Sequence, residues 1–418
     1  MLTRRIFLRG SAVVMAGMGS VPSWLARAAS IEGKKRKILV AIFQRGAADG
    51  LNIVIPFSEK RYRELRPTLG IAPPLGQPTG QPSGPNINGP INGNAIDLDG
   101  RFALNGAMQP LKALWDKQQL AIVEATGSPD SSRSHFDAQD YMESGTSSKT
   151  MGDGWLNRAL RRVDDETSPL RAVSMGNQVA RTLRGEHDAI AVGDSQQFNM
   201  GNQDAASILE SMYATSADAQ WGRTGKDAFE AMKAIQSINR SAYTPQGGAQ
   251  YGQGGELGRS LQQLARLIKA DAGVEAAFAE IGGWDHHGNE NPQLANLLRQ
   301  FSSALAAFSQ DMGDRMEDIV LVTMSEFGRT VEENGNAGTD HGHGSLMMVM
   351  GGPVQGGKVY GKWPGLEKEQ LFEGRDLAVT TDYRAVLSEL IRGHLGQKDL
   401  GAVFPGYQFG DPLGLLRS

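Results

Sequence analysis

Histidines and carboxylates in this chain collect in three short glycine-bearing stretches. Gly-Gly-Trp-Asp-His-His-Gly occupies 282–288, Ser-Glu-Phe-Gly-Arg-Thr 325–330, and Gly-Thr-Asp-His-Gly-His-Gly 338–344. Five of the seven histidines lie in the second half of the chain, and four of those five belong to these stretches. In Asp285-His286-His287 the first and third side chains share one side of an extended backbone, because side chains alternate with a period of two. A carboxylate and an imidazole so placed can bind one metal ion together, and flanking glycines let the backbone approach an ion or an anion closely. Oxygen and nitrogen ligands without sulfur suit zinc, manganese or a similar divalent ion. One ion, or a bridged pair, could polarise an ester and activate water or a hydroxyl nucleophile. A single Asp-His pair in a glycine-rich turn is as readily a hydrogen-bonded loop. Three clusters, each flanking an expected parallel strand, favour a metal or catalytic centre. His286 and His343 each neighbour a better-placed histidine and can be simply solvated, while His187 and His394 have ordinary helix or surface roles.

A further polar segment, 129–139, contains Ser131, Ser132, Arg133, Ser134, His135 and Asp137. Ser132 or Ser134 could act as a nucleophile, or His135 could contact substrate. Equally, Ser134 could cap a helix with Asp137 three residues on. Neighbouring side chains usually diverge, so Ser134-His135 adjacency does not itself make a catalytic pair. Arg45, Arg133 and Arg329 could hold an anionic group by forked hydrogen bonds, and each is also ordinary as a surface residue.

Positioning such clusters requires buried strands. The continuous apolar run 38–43 suits a strand covered on both faces, as in a parallel sheet, and it opens into the polar turn 44–50. Ligand and catalytic groups commonly sit at such strand ends. Residues 107–114 carry helical spacing and 120–123 form another buried strand. Strand 276–281, helix 291–312 and strand 319–324 repeat the scheme, 346–350 adds an apolar strand, and 382–394 is an amphipathic helix. Residues 205–236 read as mostly helical with an interruption at Trp221-Gly222, and helix returns at 257–269. Gly, Pro and Asn dominate 71–100, and 244–258 reads as a flexible loop, so both are loop insertions. The expected fold class is α/β, with a mainly parallel central sheet flanked by helices.

The first residues address the chain. Thr3-Arg4-Arg5-Ile6-Phe7-Leu8-Arg9 resembles the twin-arginine export signal of bacteria. An uncharged stretch follows from Gly10 to Leu25, and Ala26-Arg27-Ala28 offers a cleavage site. The stretch falls short of the ~20 strongly apolar residues a membrane span needs. Residues 1–29 are therefore expected to be a cleaved signal peptide, and 30–418 one domain of the periplasm or exterior. The whole chain carries a formal charge of −4; the signal holds four arginines and no acid, which leaves −8 for the remainder. With no long basic block, nucleic acid is not an expected partner. Cysteine is absent, so core packing, with or without a metal, must stabilise the exported protein.

The order of these motifs resembles the bacterial family known as domain of unknown function 1501, whose members typically carry a twin-arginine signal. The matching segments are 43–56, 132–145, 282–289, 325–330 and 338–352, and the likeness spans essentially the whole chain after the signal. That family is similar in fold to the alkaline-phosphatase-like superfamily, which includes sulfatases and cofactor-independent phosphoglycerate mutases. The resemblance implies an alkaline-phosphatase-like core with a two-metal site at the strand ends. It implies Asp49, Asp285, His287, Glu326, Asp340 and His341 as metal ligands; from the residues themselves, Ser134, His135 and Arg329 are the catalytic candidates. Phe327 stands where a histidine would follow the ligand at 326, and neither the phosphatase nor the sulfatase nucleophile pattern is present. The expected function is metal-dependent hydrolysis of a phosphate or sulfate ester, on a small molecule or a polysaccharide. The rivals are a non-catalytic binding or assembly protein of the cell envelope and an acyl hydrolase or peptidase built on Ser134 and His135. The twin-arginine translocase is the expected partner during export.

Overall fold

Strand β1, Ile38–Gln44, is buried along its whole length because both of its faces are covered. Ile38, Val40 and Ile42 enter one hydrophobic core, while Leu39, Ala41 and Phe43 enter another on the opposite side. The computed structural model describes residues 36–76, 94–147, 151–160, 168–193, 219–240 and 242–417. The signal segment and residues 77–93 and 205–218 of the expected loop and helix lie outside them.

The elements that build the sheet follow in chain order. After β1 come α1 (Gln109–Asp116), β2 (Leu120–Gly127), α2 (His135–Ser144), β3 (Ala172–Ser174) and β4 (Ile190–Ala191). Next are α3 (Ala219–Arg240), α4 (Gly255–Lys269), β5 (Ala276–Ile281), α5 (Glu290–Met312) and β6 (Ile319–Met324). The last are β7 (Ser345–Gly351), β8 (Lys358–Tyr360), β9 (Thr381–Asp382) and α6 (Tyr383–Leu390). Their order across the sheet is β8-β2-β7-β6-β1-β5-β3-β4, with β9 also on β2. At the centre Val40 of β1 stands between Ala277 of β5 and Leu321 of β6, both parallel. The mixed α/β architecture with a mainly parallel sheet is thus as expected.

Helices cover both faces. Leu257, Leu261, Leu264 and Ile268 form one stripe of α4, and Leu294, Leu298, Phe301, Leu305 and Phe308 form one of α5, at the spacing of a single helical face. On the other face Met142 of α2 and Tyr383, Val386, Leu387 and Leu390 of α6 pack with Trp155 and Phe404. Among the described residues no helix is long and apolar enough to cross a membrane.

Several expectations need correction. Strand β7 is antiparallel to both its neighbours β6 and β2, so the 338–344 cluster precedes a reversed strand rather than a parallel one. Helix α3 runs through Trp221-Gly222 without a break. The 244–258 segment is anchored rather than free: buried Asp311 accepts bonds from the hydroxyls of Tyr243 and Tyr251 and from the Gln246 amide, and pairs with Lys269. A buried carboxylate must recruit donors, and here the loop supplies them. The final helix stops at Leu390, and a wider π turn, Ile391–Leu395, leads to the left-handed Gly396.

Candidate metal centre

Reversal of β7 is what assembles the site. The start of an antiparallel strand lies at the same edge of the sheet as the ends of its parallel neighbours. The loops after β5 and β6, the loop before β7 and the start of α2 therefore converge. The second and third clusters lie side by side: the Gly328 amide donates to the His343 carbonyl at 2.9 Å and the Gly342 amide to the Gly328 carbonyl at 2.8 Å. A Cβ on Gly328 would fall 1.9 Å from the Gly344 oxygen, so only glycine permits this approach.

Alternation after β5 is as the motif suggests. Trp284 is wholly buried, donates its indole N–H to the Ile281 carbonyl and packs edge-on against Phe301. His286 is also buried, and burial pushes its pKa down to about 4. Asp285 and His287 consequently turn outward, their side chains 45% and 47% exposed.

His135, His341 and Asp285 meet at the converging edge with the ligand types and spacing that could hold a metal ion, the one such group among the described residues. His135 Nε2 lies 3.1 Å from His341 Nε2 and 3.5 Å from Asp285 Oδ2, and His341 Nε2 lies 3.2 Å from Asp285 Oδ1. Ligands about 2.0–2.1 Å from a tetrahedral zinc are about 3.3 Å apart, so these separations fit a shared ion. Hydrogen bonds behind the rings settle which nitrogens carry protons. His135 Nδ1 donates to Glu326 Oε1 at 2.8 Å, and His341 Nδ1 donates to the Arg133 carbonyl at 2.9 Å. In the neutral rings both Nε2 atoms are then bare lone pairs, facing each other and a carboxylate. Such a meeting of acceptors requires a cation between them, either a proton or a metal ion. Burial lowers the pKa of His341, while the Glu326 carboxylate raises that of His135.

His287 joins from the exposed side, its Nε2 3.0 Å from both His341 Nε2 and Asp285 Oδ1. Its Nδ1 lies 3.1 Å from Asp340 Oδ1, which also accepts from Asn334 at 3.2 Å. Asp340 thus stands behind His287 rather than among the three mutually close groups. Burial acts to raise the pKa of Asp285, but Arg329, 2.5 Å away, outweighs it and holds that carboxyl at about 2.

The remaining expected site residues have other partners. Both oxygens of buried Asp49 are taken by Arg66, at 2.5 and 2.9 Å, and a guanidinium in that position excludes a second cation. The expected bridged pair of ions therefore lacks its first ligand. Glu326 is buried and already accepts from the Gly46 amide, Gln139 and His135. It stands behind the His135 ring, where carboxylates commonly back metal-binding histidines. Arg329 is wholly buried and donates to the carbonyls of Ala47, Thr339, Gly46 and Trp284 as well as to Asp285, so no face is left for substrate. Ser134 precedes α2 without a side-chain capping bond. Its neighbour His135 faces Glu326 and His341, so neither ring nitrogen can take a proton from Ser134. Arg45 bridges Glu143, Glu280 and Gln139. Arg133 pairs with Asp376 and Glu373, and His343 is buried against Phe372.

Compared with known proteins, residues 36–401 match the family model described as protein of unknown function, DUF1501. No curated protein and no solved structure matches the chain.

Proposed function

The chain belongs to the DUF1501 family, and from that premise we propose that it is an exported metal-dependent hydrolase of phosphate or sulfate esters. One observation carries this reading: two bare imidazole nitrogens and an ionised carboxylate converge on a solvent-facing point. Three protein ligands beside an open side are the pattern of catalytic sites, where a fourth position is kept for water or substrate. When bound, a divalent ion such as zinc or manganese supplies Lewis-acid polarisation of an ester oxygen and acidification of water. Resemblance to the alkaline-phosphatase-like superfamily supports ester chemistry as the class to test.

The chain's own residues prepare the site. Glu326 and the Arg133 carbonyl hold His135 and His341 with Nε2 outward, and Arg329 keeps Asp285 ionised. His287, held at Nδ1 by Asp340 and half exposed, is placed to move a proton at Nε2. It serves as the general acid–base group, taking a proton from the attacking water or delivering one to the leaving oxygen. Water attacks directly in this scheme, because His135 is turned to Glu326 and His341 rather than to Ser134, and Ser325, whose hydroxyl lies against Glu326 and the Gln44 carbonyl, is buried.

Elemental analysis of the purified mature protein beside an Asp285→Ala, His341→Ala double variant tests the site. The expected result is metal in the parent and its loss from the variant. Equal content in both removes the proposed centre. A panel of aryl phosphate and sulfate esters tests the reaction. Fully metallated protein that turns over none of them, and that co-purifies with a stoichiometric partner, is instead a binding or assembly protein of the envelope.

A further inference from the structure

We propose that Arg375 is the anion-recognising residue of this centre, holding one oxygen of a phosphate or sulfate group beside His341. The inference rests on the ester-hydrolase reading and adds the residue that selects a charged substrate. Arg66 and Arg329 are buried and filled, while Arg45 and Arg133 are each shared between two acids. Arg375 differs from all four. Its side chain is 46% exposed, its Nε donates to Asp376 Oδ1 at 2.8 Å and its Nη2 donates to the carbonyl of His341. Nη1 has no partner among the described residues.

Asp376 makes this arrangement rigid. It is wholly buried, its other oxygen accepts from Arg133 at 2.6 Å, and its backbone bridges both Thr330 and Phe372. Two of the three guanidinium nitrogens of Arg375 are therefore fixed, one of them on the backbone of a ligand-bearing residue, and the third edge is left open. A guanidinium held this way loses little freedom on binding, and its planar N–H fork matches an oxyanion.

Calorimetric titration of inorganic phosphate, and in a separate arm inorganic sulfate, into metal-loaded protein tests the assignment, with Arg375→Ala and Arg375→Lys alongside. The parent should bind at least one anion, and the arm that binds names the ester. Arg375→Ala should weaken that binding about tenfold to a hundredfold, the loss expected for a charged hydrogen bond. Arg375→Lys should fall between, since it keeps the charge and loses the fork. Metal content and melting temperature should match the parent in both variants, and KM should rise more than kcat falls. Unchanged anion affinity in Arg375→Ala overturns the assignment, as does loss of metal from that variant, which would make Arg375 a support for His341 only. A fully metallated parent that binds neither anion and cleaves neither ester instead removes the hydrolase reading, and this inference falls with it.

Discussion

At His135 the nitrogen that faces the cluster is selected by the carboxylate behind it. Glu326 Oε1 accepts the Nδ1 proton, which leaves Nε2 bare toward His341 and Asp285. Replacing Glu326 by Gln removes the charge that orients and polarises the ring, so metal affinity should drop about tenfold to a hundredfold. Competition against a chelator of known affinity measures this, and an unchanged dissociation constant would show that Glu326 has no part in ligation. Ser134→Ala should leave turnover of any ester substrate unaltered, because the hydroxyl has no base beside it. A large loss of kcat in that variant would restore the serine mechanism. Asp285, His287 and His341 stood out in the sequence because each lies in a compact glycine-bearing motif. The place of His135 in this group did not, because its partner His341 is 206 residues away and the neighbour that drew attention was Ser134.

Turns and strand ends aim these side chains, and their tolerances are small. Gly46 follows β1 with φ +120°, and a Cβ there would lie 2.7 Å from the Asp285 amide nitrogen. Gly46→Ala should therefore push the loop after β5 away, costing about 1–3 kcal/mol and lowering metal content, which denaturant titration and elemental analysis would register. Full metal content at parental stability would show that the loop has slack. At the π turn after α6, buried His394 bonds through Nε2 to the Ile38 carbonyl, and burial pushes its pKa down to about 4. An unfolded histidine titrates near ~6.5, so between these values the unfolded state binds a proton that the folded state does not. This contribution to stability is intact above about pH 6.5 and is lost as pH falls toward 4, reaching about 3 kcal/mol. His394→Gln, which can keep the donor to Ile38, should flatten that part of the acid dependence, as read from urea midpoints at a series of pH values. Most strands and helices were legible from periodicity, since β1, β5 and β6 are short and mostly apolar and α4 and α5 carry a clear helical stripe. The direction of β7 was not, because an apolar run reads the same either way and its neighbours decide.

Over the whole molecule, an ion at this centre would join segments far apart in the chain, at 135, 285 and 341. Binding to the folded state alone stabilises it by about 4 kcal/mol when free metal is a thousandfold above its dissociation constant. Chelation should accordingly lower the melting temperature of the parent and leave that of Asp285→Ala unmoved, and equal shifts in both would argue that the metal acts elsewhere. Export belongs to this scale too. Exchanging Arg4 and Arg5 for Lys should retain folded, metallated protein inside the cell, as fractionation would show, and continued export would reject the twin-arginine reading. The sequence by itself determined the buried central strands, the likeness to one family and the stretches that carry Asp285 and His341. These are properties of short windows, set by side-chain period, composition and motif. Tertiary structure alone decided which members of those stretches meet. It sent Asp49 to Arg66, placed Glu326 behind His135 and left Arg375 with an open edge. A ligand set depends on angstrom-scale convergence of loops that only the sheet order and the reversed β7 bring to one edge.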